Sequence, residues 1–190
     1  MNFQDTQLIG VLARAESTVS SLSNLLGGLV EKFAARGYSL YLVGGSVRDA
    51  LLGRLGNDLD FTTPARPEVV KEILDEWAET VWDTGIDFGT VSAAYKGQQI
   101  EITTFRSDSY DGQSRNPEVV YGDTLEGDLV RRDFKANAMA IELLADASFK
   151  FHDPLHGLQD IADRVLDTPD KPEISFHDCL LYTSPSPRDG

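Results

Sequence analysis

A glycine pair caught between an apolar run and a charged one most constrains how this chain can fold. Tyr38-Ser39-Leu40-Tyr41-Leu42-Val43 reads as a buried strand, and it runs directly into Gly44-Gly45-Ser46-Val47-Arg48-Asp49. A strand that ends on two glycines and restarts as a helix leaves backbone N–H groups at a positive helix end, where glycine lets an anion approach closely. Ser46 is expected to cap that short helix, with Asp49 at its third position and Gly53 past its end. Asn57-Asp58-Leu59-Asp60-Phe61 follows as a second strand. Strand alternation sends Leu59 and Phe61 to one face and Asp58 and Asp60 to the other.

The two aspartates leave the same face about 7 Å apart along the chain. Converging carboxylates of that kind can hold divalent cations, and magnesium takes oxygen ligands while sharing its other positions with water and phosphate. Alone, an Asp-x-Asp also fits a solvated strand face, and a glycine pair also fits an ordinary strand-to-helix turn. Arg48, in the first turn of the short helix, would face the same anion as Gly44 and Gly45, while Asp49 caps the helix or orients Arg48. Much later comes Arg131-Arg132-Asp133-Phe134-Lys135-Ala136-Asn137. The arginine forks suit phosphate or ribose oxygens, or form a surface cluster on a capped helix. Asp133 and Asn137 are four apart, hence on one face of a helix. Glu101 lies on a strand whose Ile100 and Ile102 face the core. It is either exposed or, if that strand lies beside Asp58 and Asp60, a candidate third carboxylate. Together the pieces supply what phosphoryl transfer needs: a phosphate cradle, a metal clamp and fixed cations.

The rest of the chain reads as follows. Residues 17–36 form a helix stopped by Gly37. Pro67 opens another through about Thr80. Strands lie near Gly89–Tyr95 and Gln99–Thr104, joined by a tight hairpin at Lys96-Gly97-Gln98. Residues 106–124 are polar and glycine-containing and read as a mobile loop. A helix from about Leu129 to Leu144 follows, with Arg131 and Arg132 at its start. His152, His156 and His177 lack partners at zinc-ligand spacing and read as structural or surface residues. The last dozen residues, from Cys179, change abruptly to a Ser-Pro-Ser-Pro tail.

The chain carries a net charge of −14 over 190 residues. A polynucleotide binder usually shows a basic face, so bulk charge implies a small substrate, or a nucleic acid gripped by parts not in this chain. Acidity that merely keeps a cytosolic protein soluble fits as well. A single cysteine and the lack of a signal peptide fit the cytoplasm.

In combination and order, the motifs LVGGSVRDALLG, NDLDFTT, FGTV, EITTFR, LEGDLVRRDFKANAMA and FHDPLHGLQDI resemble the bacterial class II tRNA nucleotidyltransferase and poly(A) polymerase family, from about Tyr41 to Phe176. The resemblance implies an α/β (α+β) fold, a polymerase-β-like nucleotidyltransferase head with a mixed sheet flanked by helices. It implies Mg²⁺ held by Asp58 and Asp60, NTP phosphates near Gly45 and Arg48, and a nucleotide contact from Arg132 supported by Asp133 and Asn137. The implied reaction is attack of an RNA 3′-hydroxyl on the α-phosphorus of ATP or CTP at a tRNA 3′ end. The motifs leave open CCA addition, A-only addition and poly(A) tailing. A fragment that binds nucleotide without transferring it is the rival. The resemblance divides the chain into a helical segment (1–37), a catalytic head (38–146), the start of a neck (147–178) and a non-family tail (179–190), disordered or artefactual. Beyond Phe176 the family's base-reading arginines have no counterpart.

Overall fold

The computed structural model describes residues 3–107, 120–132 and 138–158. Its spine is a seven-stranded mixed sheet with strands β1 (Leu40–Val43), β2 (Asp58–Thr63), β3 (Thr80–Trp82), β4 (Thr90–Tyr95), β5 (Gln98–Thr104), β6 (Ala140–Leu143) and β7 (Phe149–His152). Across the sheet the order is β3-β4-β5-β2-β1-β6-β7. Only β2 and β5 pair in parallel, Asp60 standing opposite Glu101. The remaining pairs are antiparallel.

One sheet face carries Leu40, Leu42, Leu59, Phe61, Val91, Ala93, Ile100, Ile102 and Ile141, all buried. Three helices cover it: α1 (Phe3–Ala35), α2 (Gly45–Leu51) and α3 (Pro67–Trp77). α1 lays one stripe on this core through Val11, Ala15, Val19, Leu22, Leu26, Leu29 and Phe33. The three- and four-residue spacing of that stripe is what an amphipathic helix requires. Because Val11 and Ala15 continue it, the helix starts well before residue 17, where the sequence reading placed it. Gly37, at φ 82°, ends it as expected. α3 begins at Pro67 and stops at Trp77 rather than near Thr80, which instead opens β3. Trp77 stacks on Tyr95 with centroids 3.9 Å apart.

The opposite face is only partly covered. A short helix α4 (Leu125–Val130) packs Leu125 and Leu129 against Tyr41, Val43 and Ala140 there. This corrects the expected helix over Leu129–Leu144. Thr124 starts the helix earlier, its hydroxyl accepting the Gly127 N–H at 3.1 Å. Downstream, Ala140–Leu143 pairs with β1 along its whole length. The unpaired edge of β1 has stronger demands than the helical propensity of an alanine-rich run, because buried amides must find partners. Arg131 and Arg132 therefore follow a helix instead of opening one. β3, β6 and β7 had no counterpart in the sequence reading.

The hairpin between β4 and β5 turns on Lys96 (φ 47°) and Gly97 (φ 80°). Positive φ at both central residues is the turn whose twist matches paired strands. Of the polar stretch 106–124, the two ends form a ladder: Arg106 bridges Tyr121, Ser107 N–H donates to Val120 O (2.8 Å) and Gly122 N–H to Phe105 O (2.8 Å). The expected mobile loop lies, over residues 108–119, outside the described residues.

A carboxylate cluster facing a guanidinium

The register of the sheet builds the site. Asp58 and Asp60 leave the partly covered face of β2, and Glu101 leaves the same face of β5 directly across from Asp60. Glu101 thus joins the two aspartates, as its conditional reading required. The three carboxylates, with Leu59 and Gln99, line a cavity of about 330 Å³. Glu101 and Asp60 meet through a hydrogen bond between their carboxyl groups.

Both acids titrate above the ordinary range. For Asp60 the main cause is desolvation by the surrounding protein, reinforced by the charge of Asp58 and opposed by the Glu101 hydrogen bond and by Arg132. For Glu101 it is desolvation again, then the charges of Asp60 and Asp58. Like charges this close disfavour full ionisation. The arrangement calls for a cation. Among the described residues no three acidic, His or Cys groups stand in ligating geometry around one point. The donor set still fits magnesium, which is commonly held by one or two carboxylates with water and phosphate completing its shell.

On the β1 side of Asp60 the charge changes sign. Arg132 acts on Asp60 electrostatically. Its Nη1 lies 3.7 Å from the point a Cβ on Gly44 would occupy. Gly44 has φ 63°, ψ −137°, a conformation close to glycine-only territory, and it is the N-cap of α2. Arg48 folds back over Gly45, its Nη2 only 2.9 Å from a would-be Cβ there. The structure therefore brings Gly44, Gly45, Arg48, Asp58, Asp60, Glu101 and Arg132 into one neighbourhood. Asp49 is half-buried, and burial raises its pKa against the opposing charges of Arg48 and Arg54. Asp133 and Asn137 lie outside the described residues. His152 meets Glu142 at 3.2 Å and stands edge-on to Tyr41.

Two further residues, Ser46 and Asp128, set this geometry. Ser46 does not cap α2, since that position belongs to Gly44. The β1–β2 ladder stops at the Leu42–Phe61 pair, and the next amide, that of Asp60, donates to Ser46 Oγ at 3.0 Å. Ser46 thus ties the glycine turn to the carboxylate strand. Asp128 is buried at 3% exposure. Its Oδ1 accepts the Arg106 N–H (2.9 Å) and its Oδ2 accepts Arg132 Nη2 (3.2 Å). The Nε atoms of Arg106 and Arg132 are buried and find no hydrogen-bond partner among the described residues. The signal for Asp128 was its position four residues before Arg132 on a helix whose neighbours are apolar.

The chain is similar in sequence and fold to known proteins. The family described as "Poly A polymerase head domain" matches residues 40–167. A CCA-adding enzyme of Listeria innocua is 40% identical over 154 residues, which is 80% of this chain and 37% of that enzyme. The chain thus spans little more than a third of the length of such relatives. Among solved structures, the Bacillus stearothermophilus CCA-adding enzyme in complex with CTP is 36% identical with a TM-score of 0.59, covering 75% of this chain and 32% of that one. A tRNA nucleotidyltransferase complexed with a primer tRNA and an incoming ATP analog is 27% identical with a TM-score of 0.56, covering 81% and 41%.

Proposed function

The chain belongs to the poly A polymerase head-domain family, and on that premise we propose that it transfers a nucleotidyl group from CTP or ATP to the 3′-hydroxyl of a tRNA lacking its CCA end, in the cytoplasm. The single observation that carries this reading is the opposition across Asp60. Asp58, Asp60 and Glu101 gather on β2 and β5, and a glycine turn with Arg132 lies on the β1 side of Asp60.

In this reading Asp58 and Asp60 would hold magnesium, with Glu101 a third carboxylate beside them that the described geometry does not make a ligand. The bound metal supplies a lowered hydroxyl pKa and neutralises charge growing on the phosphate oxygens. Arg48, Arg132 and the amides at Gly44 and Gly45 hold the triphosphate and receive the departing pyrophosphate charge. Asp128 keeps the Arg132 fork aimed at that position through its ion pair. Asp133 and Asn137 are proposed to support the same nucleotide contact. CCA addition is favoured over poly(A) or A-only addition because the relatives above carry the CCA-adding name.

The test is incorporation of α-labelled CTP into tRNA lacking its CCA end, with Mg²⁺ present. Incorporation that disappears in Asp60→Ala is the expected result. Magnesium-dependent thermal protection by ATP without any incorporation would instead support the rival, a head that binds nucleotide and transfers nothing.

A further inference from the structure

The partly covered sheet face has two unlike halves on either side of Asp60. Towards β1 lie the glycine turn and Arg132. Towards the other edge the register runs Asp60, Glu101, Ser92, Trp82, one residue per strand. On the same face Thr103 and Thr90, whose hydroxyls meet at 2.8 Å, flank this row on one side, and Asp58, Gln99, Ala94 and Thr80 on the other. None of these side chains is cationic. The row ends on an aromatic ring: Trp82 is 43% exposed, while its neighbour Val81 turns inward to the core.

Phosphoryl transfer places the attacking and leaving oxygens roughly in line on opposite sides of the phosphorus. A departing pyrophosphate belongs on the cationic side. The attacking hydroxyl must then arrive over β5 and β4, along the row that leads to Trp82. With strands about 4.8 Å apart, the Trp82 backbone lies about 14 Å from that of Asp60. That separation suits a base just upstream of the reacting hydroxyl. Stacking on an exposed ring is sequence-tolerant, and a cation stands at the end of the same strands, where Arg106 Nη2 donates to Phe88 O at 2.6 Å two residues before Thr90.

Resting on the nucleotidyl-transfer reading, we propose that Trp82 is a stacking platform for the 3′-terminal region of a single-stranded RNA acceptor lying across β5, β4 and β3. The occupant is RNA, and no particular base is selected, because every base presents a π-face.

The chain has two tryptophans, Trp77 and Trp82. Trp77 is stacked on Tyr95 and serves as an internal baseline. The experiment titrates a short 5′-labelled oligoribonucleotide ending in ACC into the 190-residue chain with Mg²⁺, reading anisotropy of the label and tryptophan emission. Saturable quenching is expected in the wild type, with affinity about tenfold weaker in Trp82→Ala and near wild type in Trp82→Phe. Thermal protection by Mg-ATP should be equal in all three, which shows that the variants fold and keep the nucleotide site. The proposal is overturned if RNA leaves the emission unchanged, if Trp82→Ala binds RNA like the wild type, or if Trp82 emission instead follows protein concentration, as self-association at the β3 edge would cause. Loss of Mg-ATP protection in the wild type itself would sink the nucleotidyl-transfer reading, a separate result.

Discussion

Replacing Ser46 with alanine removes one oxygen and should loosen the site. The Ser46 hydroxyl is the acceptor for the Asp60 amide at 3.0 Å, where the β1–β2 ladder has already ended. Ser46 is 3% exposed, so water has little room to take over. The variant loses a hydrogen bond and leaves a shielded amide without a partner, a combined cost of about 1–3 kcal/mol. For a domain of this size each kcal/mol moves the melting temperature by about 2–4 °C, so a fall of roughly 2–12 °C is expected. A purely structural role would stop there. Because the lost bond anchors the carboxylate strand to the glycine turn, the Mg²⁺ concentration needed for half-maximal thermal protection by ATP should also rise, by about fivefold for each ~1 kcal/mol lost from the bound geometry. The assay is a thermal melt across a magnesium series at fixed ATP. A variant that melts within about 1 °C of the wild type, with an unchanged magnesium midpoint, would refute the reasoning.

Other substitutions probe the remaining pieces. Glu101→Gln should stabilise the metal-free chain at neutral pH. Asp60 and Glu101 have raised pKa values in the fold, so they contribute stability below the ordinary carboxylate range near 4 that is lost as pH rises through the raised values. Melts from pH 4 to 8 without metal should show that decline in the wild type and less of it in the variant, with magnesium removing it in the wild type. Gly44→Ala forces a side chain into φ 63° and should cost about 1–3 kcal/mol, read by chemical denaturation. Asp128→Asn keeps an oxygen for the Arg106 amide but breaks the Arg132 ion pair. It should weaken Mg-ATP binding, measured by calorimetry, more than it lowers the melting temperature. Asp58→Ala or Asp60→Ala should slow labelled CTP incorporation by at least about a hundredfold, since several kcal/mol of transition-state stabilisation are removed.

The parts of the site that came from a single stretch of chain were legible in the sequence. Leu59 and Phe61 alternate with Asp58 and Asp60, and period two admits no other strand assignment that buries the apolar pair. Glu101 was legible only up to its face, because the parallel register that sets it opposite Asp60 is formed by strands separated by α3, β3 and β4. Residues 129–144 misled for a physical reason. Phe134, Ala138, Ile141 and Ala145 satisfy a helical period, yet the choice at Ala140–Leu143 was made by the vacant edge of β1. Ser46 illustrates the same limit at the level of one atom. A serine after two glycines ahead of a helix is a good cap by local rules. The glycine turn shifts the cap to Gly44, and a strand fourteen residues on claims the hydroxyl instead.

Net acidity and a phosphate-binding role are compatible in this fold because the charges are sorted by distance. The net charge of −14 is spread over the whole chain. At physiological ionic strength, interactions between exposed charges fade beyond about 8 Å. A triphosphate at the glycine turn would therefore respond chiefly to the groups beside it, Arg48 and Arg132, and to the carboxylates beneath it. Asp128 consumes part of the Arg132 charge, but it is buried and pairs through one oxygen only, leaving the rest of the guanidinium directed at Gly44. The three carboxylates reverse that balance unless a divalent cation sits among them. Nucleotide binding should consequently be almost absent without metal, and steeply restored with it. An ATP affinity that does not change on adding EDTA would show that the acidic cluster and the phosphate position are not coupled, and the proposed chemistry would have no basis.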